Sequence, residues 1–338
     1  MRASTVLRTQ VPVVVAVALA ACGGDSTGPP TTGFDADAVG THLERVERVI
    51  SAPEWENFRA VTERANVGPF AATVPGTGTG LYLVPVISPG GRGTTFVYDT
   101  LAAGYVPRFS RQGAPANGVR FILYAVDPLT GAPDVSAEIG HADLFDLGSA
   151  SGPEVALQFI VVTEADIFLD YSVTAVGDQS GGSVSIDGFA GRSADRLAFT
   201  VEAQSTSAGA TAATGVTFTL DIPDKGFDVR AHLASLDTEE GETGSVDIRV
   251  RHRGNAIRVQ MDGGAGSAEA SFLVNGELFA IATDGGGGPI IRGGDGEPLS
   301  AEELQALHSI LRLGDGLTRM FGELMAPAGR LIELAASL

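Results

Sequence analysis

Apolar and polar side chains alternate with period two over most of the middle of the chain. Between residues 155 and 283 the alternation is interrupted only by short turn-like segments, as after 155–161 and again after 167–173. Side chains alternate faces along a strand, so each such segment has one apolar face. The pattern predicts an antiparallel meander. Its clearest hairpin is at Asn275-Gly276, because a type I′ turn needs positive φ at two successive residues.

Shorter strands are predicted before this meander, at 81–87, 95–99, 119–126 and 137–145. Pro85 places the first of them at a sheet edge, because proline has no backbone N–H for a ladder hydrogen bond.

Helical spacing of apolar residues marks both ends of the folded part. Near the N-terminal end the apolar residues fall three or four apart, and Ser51-Ala52-Pro53-Glu54 has the pattern of a capping box between two helices. Ser300 and Glu303 form a second capping box, and Gly314-Asp315-Gly316 predicts a break between two C-terminal helical segments. The predicted helix-face residues are Val39, Leu43, Val46, Ile50, Trp55, Phe58, Val61, Leu304, Leu307, Ile310, Leu311, Leu317, Met320, Phe321 and Leu324.

The first residues have the organisation of a secretory signal. Arg2 and Arg8 precede an apolar run at 11–19, which is too short to span a membrane, and small residues follow it. The sequence Leu19-Ala20-Ala21-Cys22-Gly23, with the only cysteine of the chain, resembles the lipobox of bacterial lipoprotein precursors. The resemblance implies that Cys22 is lipidated and binds a membrane of the cell envelope. Gly23, where an Asp would signal inner-membrane retention, implies the outer membrane. The alternative is an ordinary cleaved signal with a spare cysteine.

The charge of the chain limits the classes of molecule that it is expected to bind. The formal net charge is -19, and it becomes -21 once the signal with Arg2 and Arg8 is removed. Such acidity opposes binding to nucleic acid and to anionic membrane surfaces. Lys225 is the only lysine, and it lies outside any Gly-Lys-Ser/Thr sequence, so a Walker-type phosphate loop is excluded. We expect no cofactor.

These features predict an α+β fold: a large curved antiparallel sheet, either a meander or an incomplete barrel, with helices at both termini packed on it. We expect a signal peptide at 1–21, a flexible tether at 22–33 and a single domain at 34–338. Within the domain we expect helices at 34–66 and 300–336, the sheet at 70–283 and a Gly-rich loop at 284–299. The outline resembles the LolA/LolB and LppX class of lipid-handling periplasmic proteins, which implies a half-barrel that holds acyl chains.

An apolar sheet face must be covered by helices, by a second layer or by a ligand. If this face encloses a cavity, large apolar residues line the cavity, and Trp55 is an additional candidate platform for a ligand. If helices fill it, the same residues form a core. The candidate ligand-facing residues are Phe159, Leu169, Phe199, Phe218 and Phe227.

Two polar clusters are also candidate sites. Arg249, Arg251 and Arg253 share one side of a predicted strand, with Arg258 across the hairpin. This stripe either holds an anionic head group or partner, or pairs with acids such as Asp228, Asp247 and Asp262. His141, Asp143 and Asp146 are either metal ligands or part of a polar strand face, and we expect no metal site.

The sequence therefore favours a lipid-anchored cell-envelope protein with a structural or protein-interaction role and no catalytic activity. The alternative is a protein that binds or transports a lipid or another hydrophobic ligand between sheet and helices. A secreted enzyme is a distant third hypothesis. It ranks last because no motif places an acid and a base together.

Overall fold

The computed structural model describes residues 36–64, 87–127, 129–130, 132–148, 154–164, 166–178, 180–192, 195–222, 225–264, 267–284 and 289–338. The predicted signal segment 1–21, the tether 22–33 and most of the predicted strand at 81–87 lie outside these residues.

The described residues form three helices and fifteen strands. The helices are α1 (Ala36–Ile50), α2 (Pro53–Arg64) and α3 (Ala301–Ser337). The strands are β1 (Thr95–Asp99), β2 (Gly104–Pro107), β3 (Gly118–Val126), β4 (Pro133–Asp146), β5 (Glu154–Thr163), β6 (Asp166–Asp178), β7 (Gly181–Ala190), β8 (Leu197–Ala208), β9 (Thr211–Ile222), β10 (Phe227–Thr238), β11 (Gly241–His252), β12 (Asn255–Gly264), β13 (Ser267–Val274), β14 (Glu277–Asp284) and β15 (Pro289–Gly293).

The fifteen strands belong to one open sheet. Its order is β15 down to β3 by sequence, followed by β1 and β2. Consecutive strands from β3 to β7 and from β9 to β15 pair antiparallel, whereas β1 runs parallel to β3. The predicted α+β class and antiparallel meander are confirmed.

The predicted hairpin at Asn275-Gly276 is also confirmed. The two residues have φ of 54° and 89°, as a type I′ turn requires. Val274 lies opposite Glu277 across the turn. The Asn275 side chain adds a bond of its own, because its Oδ1 accepts a hydrogen bond from the Ala256 N–H at 2.9 Å.

Two strands were not predicted. Residues 284–299 were expected to be a loop, but β15 pairs there with β14, with Thr283 opposite Ile290 and Ile281 opposite Arg292. Proline is tolerated here because Pro289 is the first residue of an edge strand. The other unpredicted strand, β2, has only four residues, and its length gives little alternation to detect.

The chain divides into two compact units, one within Met1–Arg45 and Ser205–Phe321 and the other within Val46–Gln204 and Gly322–Leu338. In the unit that contains α2, Trp55, Phe58 and Val61 are fully buried, as predicted for a helix face. The Phe58 ring packs against Phe159 of β5 with centroids 4.9 Å apart. Trp55 is thus a core residue, and its ring contacts that of Phe58.

Ser51 does not act as the predicted cap of α2. Its hydroxyl donates a hydrogen bond to the Glu47 carbonyl at 2.6 Å, and its N–H bonds to the same oxygen. Ser51 therefore closes the end of α1, since serine readily bonds to a carbonyl four residues earlier.

The C-terminal helix α3 begins where predicted. The Ser300 N–H donates to Glu303 Oε2 at 2.8 Å, and the Glu303 N–H donates to Ser300 Oγ at 3.3 Å, which is a complete capping box. The predicted break at Gly314-Asp315-Gly316 is wrong, because α3 continues to Ser337. Leu317 and Leu324 are buried beyond that point, and such packing outweighs a local glycine preference.

Candidate functional site

The outer face of β9 to β12 carries a cluster of arginines and acids, all within one unit. The register places Arg230 of β10 opposite Arg249 of β11, and Arg249 opposite Arg258 of β12. We call Arg230, Arg249 and Arg258 the arginine ladder. Because strands lie about 4.8 Å apart, the ladder spans roughly 10 Å at the backbone.

Tight hairpins fix this register. The turn between β11 and β12 consists of Arg253 and Gly254, with φ of 48° and 90°, and it brings His252 opposite Asn255. Positive φ at both positions matches the right-handed twist of the flanking strands. Arg249, Arg251 and Arg258 all lie on the strands, as predicted, whereas Arg253 occupies the turn and is not part of the row.

Acids pair with some of these arginines. Arg258 holds Asp247 with both guanidinium branches, Nε to Oδ1 at 2.9 Å and Nη2 to Oδ2 at 2.6 Å. These hydrogen bonds are the largest reason why the pKa of Asp247 lies below its ordinary value. The predicted cross-strand pairing with acids is therefore present at this pair.

The row of residues next to the arginine ladder contains both acidic and basic side chains. Asp228 lies opposite Arg251, with Oδ1 and Nε 3.7 Å apart, and its Oδ1 is 4.0 Å from Nε of Arg230. On its other side Asp228 faces Asp221. Burial and then the charge of Asp228 raise the pKa of Asp221. Asp262, the third predicted partner, lies opposite Ser245 rather than an arginine.

Arg230 was missed by the sequence analysis. The pairing of Arg230 could have been found from the sequence. In a regular hairpin, the numbers of two residues that lie opposite each other always add up to the same sum. A turn at Glu239-Glu240 therefore places Arg230 against Arg249. The alternation alone showed that both residues are on the polar face, but not that they are opposite each other.

The five candidate ligand-facing residues all lie on the inner face and are at most 2% exposed. In one unit, Phe159 packs against Phe58 of α2, Phe199 lies 5.7 Å from the Tyr171 ring, and Leu169 is fully buried. In the other unit, Phe218 packs against Phe321 of α3 at 5.3 Å, and Phe227 stacks on His42 of α1 at 5.0 Å. Protein side chains thus occupy the space over the aromatic members of this set.

Further along the same strands the inner face is less covered. A row of apolar residues crosses β9 to β15 in register and is only half-buried. We call it the apolar row: Val216, Leu233, Val246, Met261 and Ile291, with Ala270 and Ala282 between the last two.

His42 of α1 packs on this face where Phe227 and His252 lie opposite each other. It is 6% exposed, stacks on Phe227 and contacts the His252 ring edge to face at 4.8 Å. Burial, and then the nearby His252, Arg45, Arg253 and Lys225, lower the pKa of His42. The sequence did not distinguish this histidine from the others, because burial and neighbours are tertiary properties.

The predicted polar cluster at the start of the sheet separates onto two faces. Asp143 accepts two hydrogen bonds of 2.7 Å from Arg120, and His141 lies on the same face. Asp146 points to the other face, where Arg92 and the Ile87 N–H bind its Oδ2. Among the residues that the structure describes, no three His, Cys, Asp or Glu side chains are grouped as metal ligands.

Cys22 lies outside the described residues. Within the described part of the chain, none of the helices combines the length and the apolar character needed to cross a membrane. Comparison of the chain with protein-family models, with curated proteins and with solved structures gave no significant match.

Proposed function

We propose that the chain is a lipid-anchored cell-envelope protein with a structural or protein-binding role and without catalytic activity. The observation that supports this role best is the burial of Phe159, Leu169, Phe199, Phe218 and Phe227 to 2% exposure or less. These are the large side chains that would line a ligand cavity if one lay under the helices. Aromatic side chains of the protein itself contact the four phenylalanines of this set, as in a close-packed core.

The anchor is proposed from the sequence Leu19-Ala20-Ala21-Cys22-Gly23. A thioether-linked diacylglycerol together with an N-acyl chain provides more than the single acyl chain that gives only marginal membrane binding. The residue after the cysteine, Gly23, favours the outer membrane over the inner membrane. Segment 22–33 is rich in Gly, Ser, Thr and Pro, a composition suited to a flexible tether between the anchor and the fold.

The anchor is tested by substituting Cys22→Ser in the full chain and separating soluble, inner-membrane and outer-membrane fractions of the producing cells. We expect the unsubstituted chain in the membrane fraction with the added mass of the acyl groups. The Cys22→Ser chain should lack that mass and be displaced from the outer membrane. Ser26→Ala, in the predicted tether, is the matched control and should fractionate like the unsubstituted chain.

Outer-membrane association of Cys22→Ser at the normal yield would refute lipid anchoring. So would an unmodified Cys22 in the membrane-bound chain.

A second function is favoured by the apolar row. Val216, Leu233, Val246, Met261 and Ile291 keep part of their surface in contact with solvent, although they share a face with the buried core. A hydrophobic ligand such as a lipid would gain contact with this row, and burial of apolar area contributes about 25 cal/mol per Å². The two functions differ in whether an apolar molecule is bound in stoichiometric amount.

A further inference from the structure

Arg249 has an unusual set of neighbours for so acidic a chain. Its two cross-strand partners on the outer face are Arg230 and Arg258, and Arg251 lies two residues further along the same strand. The remaining neighbour along the strand is Asp247. The chain contains 41 acidic side chains and only 22 lysines and arginines. Three basic neighbours out of four are therefore more than this composition leads one to expect.

The acids beside the arginine ladder are already engaged. Asp247 is bound by both branches of Arg258, and Asp228 lies between Arg230 and Arg251. Among the described residues, Arg249 has no carboxylate within 4.0 Å, and it is exposed to solvent. Asp247 interacts with Arg249 at longer range, but the guanidinium at the centre of the ladder forms no direct ion pair with a described carboxylate.

Like charges directly opposite each other weaken strand pairing. The ladder contains two such pairs in succession, Arg230 with Arg249 and Arg249 with Arg258. An anion bound over Arg249 would attract all three arginines and so offset the repulsion between them. The Arg249 guanidinium offers a forked pair of N–H donors, which matches the oxygens of a phosphate group, and Arg258 adds the N–H groups that are not bound to Asp247.

We propose that the arginine ladder is a binding site for a phosphate group, centred on Arg249. Arg230 and Arg258 flank the bound anion, and the ladder is long enough at the backbone for a diphosphate to contact more than one arginine. The phosphate belongs either to a lipid head group or to a soluble phosphate compound. The site lies on β10 to β12 and does not depend on the anchor at Cys22.

Calorimetric titration of the full chain, purified in a non-ionic detergent, tests this site. Inorganic pyrophosphate is the soluble probe, and dihexanoyl phosphatidic acid is the lipid probe. Dihexanoyl phosphatidylcholine controls for partition of the lipid chains into detergent. Binding of pyrophosphate alone assigns the site to soluble phosphate compounds. Tighter binding of phosphatidic acid than of phosphatidylcholine assigns it to a head group.

Two substitutions at the ladder are expected to change the affinity for the probe in opposite directions. Arg249→Gln should weaken binding of the active probe about tenfold or more, the loss expected for one charged hydrogen-bond donor. Asp247→Asn should tighten binding, because it removes a negative charge and releases Arg258. Arg253→Gln, in the adjacent turn, is the matched control and should change the affinity less than about threefold, since it removes only a screened charge.

The proposal is overturned if neither probe binds. It is also overturned if Arg249→Gln and Arg253→Gln weaken binding equally, because the affinity would then follow net charge alone. Arg249 and Arg253 are exposed and Asp247 is half-buried on the outer face, so the fold is expected to be retained, and an unchanged circular dichroism spectrum verifies this.

Discussion

At the scale of single residues, His42 has the environment with the clearest consequence. Its ring contacts those of Phe227 and His252, and its Nδ1 has no hydrogen-bond partner among the residues that the structure describes. The charged groups that act on it, Arg45, Arg253 and Lys225, are all positive, and protonation of His252 would add to them. Burial and these positive groups lower the pKa of His42, so the fold disfavours the protonated imidazole.

Stability is therefore expected to fall as the pH is lowered through the ordinary pKa of histidine, 6.5. Because the pKa of His42 is depressed in the fold, the unfolded chain binds more protons than the folded chain below about pH 6.5. The resulting slope is at most about 1.4 kcal/mol per pH unit for one group. Urea unfolding between pH 8 and pH 5 measures it.

The substitution His42→Leu should flatten this dependence while leaving stability at pH 8 nearly unchanged, since leucine keeps the apolar contact with Phe227. His232→Gln, at an exposed position on the outer face, serves as the control and should retain the slope of the unsubstituted chain. An equally steep loss of stability in His42→Leu would show that another group controls the acid response.

The sequence predicted residue positions on a face better than contacts between residues. Period-two alternation placed Arg249, Arg251 and Arg258 on the polar face and Phe218 and Phe227 on the apolar face. It did not identify Arg230 as the partner of Arg249, because that depends on strand register. It placed Arg253 on a strand because it could not detect the left-handed turn that removes this residue from the row.

At the scale of elements, α3 shows tertiary packing overriding local preference. The helix continues through Gly314 and Gly316 and also includes Pro327, each of which disfavours a helix interior. Buried residues before and after the glycines, Leu307, Ile310, Leu317 and Leu324, lie on one side of it. The glycines are visible in the sequence, whereas the burial of these side chains depends on tertiary structure.

Gly314→Ala is expected to stabilise the chain by about 0.5–1 kcal/mol, because alanine loses less backbone entropy in a helix. A Cβ at this position would meet nothing within 4 Å. The midpoint of urea unfolding measures the change. Gly188→Ala is the contrasting control and should destabilise, since its Cβ would lie 2.0 Å from the Asp170 carbonyl oxygen. A loss of stability in Gly314→Ala would contradict a continuous helix.

Prediction of the strands was most successful where they are long. The meander from β5 to β14 follows from alternation and turn residues, and the turn at Asn275-Gly276 was located to the residue. Among the short strands, β1 was predicted at 95–99, whereas β2 and β15 were missed. The four residues of β2 give little periodic signal, and β15 lies in a Gly-rich segment that was expected to be a loop. Partners in the sheet, rather than local pattern, make these two segments extended.

At the scale of the whole molecule, helical side chains in each unit cover part of the inner face of its strands. Phe58 covers Phe159 in one unit, and Phe321 covers Phe218 in the other. The sequence predicted that an apolar sheet face would need covering, but it left open whether helices or a ligand would do so. That choice depends on packed volume, which no pattern of residues reveals.

The mass of the full chain, purified in detergent and measured under native and under denaturing conditions, tests the proposed function most directly. Covalently attached acyl chains contribute to both masses, so a difference reports only non-covalent ligands. A structural or protein-binding role predicts equal masses and a melting temperature that does not respond to added lipid. A stoichiometric lipid lost on denaturation would contradict this role and assign the apolar row to hydrophobic ligand binding.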